Sequence, residues 1–85
     1  MKSTYSDDYR RVLEALLAAR KERRVSQVMI AEALGKPQSY VSKTESGERR
    51  LDIVEFIAIC RAVGVSPVKV LRNASILTDA DGDSG

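Results

Sequence analysis

At 85 residues the chain can hold one small domain with a modest core, and a second folded domain is not expected. Hydrophobic residues make up 44% but aromatics only 5%, so Leu, Ile, Val and Ala fill the interior. With no His and a single cysteine, Cys60, neither a zinc site of soft ligands nor an internal disulfide can form.

The formal net charge of +2 conceals an uneven distribution. Asp79, Asp81 and Asp83 sit in the tail, whereas Arg20, Lys21, Arg23, Arg24, Lys36, Lys43, Arg49 and Arg50 crowd the middle of the chain. A locally basic stretch of this kind suits phosphate binding. No apolar run approaches the roughly 20 residues that cross a bilayer, and residues 1–8 lack the apolar stretch of a signal peptide. A cytoplasmic protein without membrane association is expected.

Taken in chain order, residues 7–24 place Val12, Leu13, Leu16, Leu17 and Ala19 at helical spacing, predicting a first amphipathic helix. Asp7 and Asp8 suit its positive end, and Arg23 and Arg24 its negative end. Ser26 is a cap for a second helix over 27–34, and Gly35 ends it with a sharp change of direction. Pro37, at a first helical position, opens a third helix near Gln38 that runs to about Ser46 and stops at Gly47.

Asp52 caps a fourth helix over 53–63, with Ile53, Phe56, Ile57, Cys60 and Val63 expected on its inner face. Gly64 closes it, and Ser66-Pro67 starts a short fifth helix through about Leu71 or Arg72. Residues 1–8 are expected to form a flexible arm, 9–77 the folded domain, and 78–85 a disordered acidic tail. The fold class is therefore all-α: five helices joined by very short turns, with no strand alternation.

The second and third helices, joined by a turn containing glycine, form a helix-turn-helix pair whose second member can enter the DNA major groove. Ser26-Gln27 begins the pair, Ala31 lies at the centre of its first helix, and Glu45-Ser46-Gly47 ends the second. With Ala62-Val63-Gly64-Val65 further on, this stretch resembles the Cro/Xre repressor family over about residues 10–72. The resemblance implies a compact five-helix, lambda-repressor-like DNA-binding domain and a sequence-specific transcriptional regulator, acting as a repressor on double-stranded DNA.

Ala31 is small where two helices cross closely, and Ile30, Leu34 and Val41 fill the space beneath. On the other side of the third helix Gln38, Ser39, Ser42 and Lys43 form one polar stripe. Gln can bond adenine, Lys can reach guanine acceptors, and Ser serves several bases, so these four are the candidate base readers. The resemblance implies that Gln27 bonds a backbone phosphate. Lys36, Tyr40, Arg49 and Arg50 are further candidates for phosphate contact. The resemblance also implies an ion pair between Arg20 and Glu45, orienting the recognition helix instead of reading DNA.

Four positions depart from the family pattern. Thr44 stands where Ile or Leu is usual, either weakening local packing or bonding back to a carbonyl. Val28 and Met29 are apolar where charge is usual, and Cys60 takes an alanine slot.

One recognition helix with about four readers makes too few contacts for useful selectivity, so a homodimer on a palindromic operator is expected. Val68, Leu71, Ile76 and Leu77 exceed what a short last helix needs for its own domain, and are assigned to the partner subunit. Without His, a second Cys or a phosphate-binding glycine loop, neither catalysis nor a cofactor is expected. An alternative within the same fold is an antitoxin or adaptor whose main partner is another protein, such as a toxin.

Overall fold

The structure, a computed structural model, describes residues 6–77. Residues 1–5 of the expected arm and all of the expected tail, 78–85, lie outside the described residues. Five α-helices follow one another: α1 (Asp7–Glu22), α2 (Gln27–Leu34), α3 (Gln38–Ser46), α4 (Ile53–Val63) and α5 (Pro67–Asn73). Among the described residues there is no strand.

Local chemistry sets most of the boundaries. The Ser6 hydroxyl accepts from the Tyr9 amide at 3.1 Å, so α1 begins at Asp7 and takes in two residues assigned above to the arm. Helix α1 ends two residues earlier than its periodicity suggested. Arg24 adopts a left-handed φ of 59°, and the Val25 amide returns to the Arg20 carbonyl at 3.1 Å. Ser26 accepts from the Met29 amide at 3.0 Å to start α2. Gly35 ends it at φ 66°, with the Lys36 amide on the Ala31 carbonyl at 2.9 Å.

Pro37 is the cap of α3 and not its first helical residue, with an extended ψ of 155° and no capping side chain. Asp52 and Glu55 cap α4 reciprocally: Asp52 accepts from the Glu55 amide at 2.7 Å, and the Glu55 carboxylate accepts from the Asp52 amide at 3.0 Å. Gly64 follows at φ 87°, and a β-carbon there would also meet the Arg23 guanidinium at 3.1 Å. That guanidinium covers the end of α4, its Nε donating to the Val63 carbonyl at 3.0 Å.

Helix α2 packs on α3 and α4, and α1 packs chiefly on α5. Leu16 and Ala19 of α1, Ile30 and Ala31 of α2, Val41 of α3, Phe56, Ile59, Cys60 and Val63 of α4, and Val70 of α5 form one buried cluster. The inner face of α4 differs from the expected one at its start. Ile53 is 65% exposed and Ile57 only partly covered, while Ile59 is buried. The buried stripe is thus Phe56, Ile59, Cys60 and Val63, the i, i+3, i+4, i+7 set, and the first turn of α4 projects beyond the neighbours that would cover it.

Thr44 is buried, and its hydroxyl donates to the Tyr40 carbonyl at 2.7 Å, so bonding back within the helix satisfies the polar atom that replaces an aliphatic one. Cys60 is fully buried, and burial pushes its thiol up to about 11, which leaves it without a reactive thiolate at neutral pH. No helix of the described residues is long and apolar enough to cross a membrane.

Candidate nucleic-acid interface

Because α3 buries Val41 and Thr44 against the core, its opposite face is turned outward, and Gln38, Ser39, Ser42 and Lys43 are all exposed there. Three lie within the first five residues of the helix, the part of a recognition helix that points at base edges.

Behind this face runs a chain of hydrogen bonds that links α1, α2 and α3. Arg20 Nε donates to Glu45 Oε2 at 2.5 Å and Nη2 to Oε1 at 3.1 Å, with both side chains largely covered (14% and 13% exposed). Arg20 Nη1 also donates to the Val25 carbonyl at 2.9 Å, so the guanidinium holds the α1–α2 turn as well. Gln27 Nε2 donates to Glu45 Oε1 at 2.8 Å, and Gln27 Oε1 accepts from Gln38 Nε2 at 3.2 Å. A base-reader candidate is thereby tied, through a phosphate-contact candidate, to the ion pair that anchors the end of α3.

Two other phosphate-contact candidates, Lys36 and Arg49, gather around a third, Tyr40. Lys36 Nζ lies 5.4 Å from the centroid of its ring and the Arg49 guanidinium 4.2 Å, both within cation–π range. Burial raises the Tyr40 phenol above its ordinary value, the neighbouring Arg49 charge acting against that rise. Arg49 is bound to a residue that the sequence reading left out: Nη2 lies 2.5 Å from Glu55 Oε2 and Nη1 3.2 Å from Oε1. The Asp52-x-x-Glu55 spacing, a capping-box pattern, is the sequence signal that could have marked Glu55. The Arg49 hydrogen bonds hold the Glu55 carboxyl down to about 2, and the Asp52 amide adds to them.

Arg50 is exposed, with its guanidinium 5.3 Å from the Tyr9 ring centroid, and the Tyr9 hydroxyl accepts from the Leu51 amide at 2.9 Å. Tyr9, also absent from the sequence reading, thus ties the α3–α4 loop to α1.

Of the residues assigned to a partner subunit, Val68 is 47% exposed, whereas Leu71, Ile76 and Leu77 are partly covered by the domain itself. More open than any of these are Ile53 and Val54, at 65% and 71%. Ile53 and Leu71 line one shallow groove together with Tyr9, Val12, Leu51 and Phe56.

A family model described as helix-turn-helix matches residues 16–70. The solved structure of an XRE-family like protein from Pseudomonas syringae pv. tomato str. DC3000 is 44% identical to this chain, with a TM-score of 0.76. That match covers 84% of this chain and 87% of the other. No curated protein matches the chain. The matched residues span the whole of α2, the turn and α3, together with α4, and the family is one of regulators that bind DNA, not of enzymes. The chain therefore belongs to the Cro/Xre-type helix-turn-helix family of DNA-binding regulators.

Proposed function

We propose that this regulator is a repressor that binds a palindromic operator as a homodimer, placing α3 of each subunit in successive major grooves. Gln38, Ser39, Ser42 and Lys43 read base edges, while Gln27, Lys36, Tyr40 and Arg50 take the flanking phosphates. The observation that carries this reading is the single polar face of α3, four exposed side chains opposite buried Val41 and Thr44.

The dimer surface of this reading is largely apolar and centres on the groove lined by Ile53 and Leu71, with Val54, Val68, Ile76 and Leu77 assigned to the same contact. Two β-branched side chains left more than three-fifths exposed at the start of α4 are better explained by a second subunit than by the domain's own core.

Selection of bound duplexes from a random pool tests the reading. An inverted repeat is expected, with half-site centres about one helical turn, roughly 10 base pairs, apart. A promoter carrying that repeat should fall silent when the protein is expressed. Recovery of a single unrepeated site would overturn the dimeric operator, and a promoter that responds by rising would overturn the repressor assignment.

A further inference from the structure

The Arg49 side chain is committed on three sides. It forms a fork-to-fork pair with Glu55, its Nη1 also donates to the Arg50 carbonyl at 3.3 Å, and its guanidinium stacks on the Tyr40 ring. Glu55 is itself pinned, because its Oε1 accepts from the Asp52 amide in the cap of α4. The cap that starts α4 therefore fixes the carboxylate, and the carboxylate fixes the arginine.

Tyr40, on which that arginine lies, is the third residue of α3 and follows Gln38 and Ser39 directly. A DNA phosphate approaching Arg49 would have to displace a carboxylate already in bidentate geometry. It would also come within range of that carboxylate's own negative charge.

We propose that Arg49 remains on Glu55 when DNA is bound, and that the two are positioning residues holding Tyr40 and the first turn of α3 against the start of α4. The inference rests on the DNA-binding reading of the α3 face and deepens it. Arg49, placed among the phosphate contacts by sequence, leaves that set, and Glu55 joins the residues that govern DNA affinity. Glu55 does so by cancelling a cation at the edge of the binding face. Removing it releases Arg49 to take one additional phosphate.

The test is the salt dependence of affinity, measured on the selected operator duplex and on a random-sequence duplex. The proteins compared are wild type, Arg49→Gln, Glu55→Gln and the double variant, with circular dichroism as the check on folding. Each phosphate neutralised adds about 0.9 to the slope of log affinity against log salt. Arg49→Gln should lose discrimination between operator and random DNA severalfold, because Tyr40 is no longer held. Its slope should not exceed the wild-type value, because the Glu55 charge is left uncancelled. Glu55→Gln should steepen the slope by about 0.9, and the double variant should return it to the wild-type value.

A slope flattened by about 0.9 in the double variant, whose net charge is that of wild type, would show Arg49 on a phosphate and overturn the proposal. If Glu55→Gln loses its helical signal, Arg49→Gln decides by its discrimination: a variant that separates operator from random DNA as well as wild type does overturns the proposal. Wild-type protein that shows no salt-dependent affinity for either duplex overturns the DNA-binding reading instead, a result separate from any change of slope among variants.

Discussion

Arg20 on the first helix grips Glu45 at the end of the recognition helix through two hydrogen bonds, of 2.5 and 3.1 Å, across 25 residues of sequence. With each side chain about seven-eighths covered, the pair sits between an exposed salt bridge and a fully buried one. Removing Glu45 leaves Arg20 charged and only partly hydrated. Glu45→Ala should therefore cost about 2–3 kcal/mol of stability, above the ~0–1 kcal/mol of a surface pair. For a domain of this size that is a fall in melting temperature of roughly 8 °C or more. A loss below about 1 kcal/mol in denaturant titration would place the pair among ordinary surface bridges.

Gln27 links that pair to Gln38, so the two glutamines should act as one unit on DNA. Gln38→Ala should lose about 1–3 kcal/mol of operator affinity and relax preference at one base pair, as should Lys43→Ala. Combining Gln27→Ala with Gln38→Ala should cost less than the sum of the single changes, with a coupling of at least about 0.5 kcal/mol. Strict additivity in the double-mutant cycle would mean that the 3.2 Å bond between them has no part in recognition.

The Glu55 carboxyl, held down to about 2 by Arg49 and by the Asp52 amide, gives stability a definite acid dependence. A carboxyl whose pKa is lower in the folded than in the unfolded chain favours folding above the unfolded value, here near 4.5, and loses that contribution as pH falls toward 2. The melting temperature of wild type should exceed that of Glu55→Gln at pH 6, and the gap should close between pH 4.5 and 2. A gap that stays constant through that window would show that the charge of Glu55 does not contribute.

The proposed dimer puts Ile53 and Leu71 at one contact, and aspartate at either should separate the subunits. Sedimentation at micromolar concentration should show wild type as a dimer and both Ile53→Asp and Leu71→Asp as folded monomers. Ile53 is the cleaner probe, since its exposure means that the change leaves the domain's own core intact. A wild type that stays monomeric and binds a single half-site one-to-one would refute the dimer.

What the chain determined by itself is what short-range chemistry can specify. Ser26, Asp52 and Ser66 cap the helices that follow them because a hydroxyl or carboxylate two or three residues away is within reach of an unpaired amide whatever the rest of the fold does. Gly35, Gly47 and Gly64 end helices for an equally local reason, and the helix-turn-helix pair, with its polar stripe on α3, follows from them.

How far an apolar face is covered, and which partners long side chains find, were decided only in three dimensions. Periodicity gives α4 an apolar stripe but cannot say how far its neighbours extend, so Ile53 looked internal and is exposed, while Ile59 was passed over and is buried. The positive charge of Arg49 suited a phosphate, and in the fold the loop brings it onto Glu55 and the Tyr40 ring. An arginine reaches several ångströms in any direction, and which carboxylate lies within that reach depends on where the chain places both backbones.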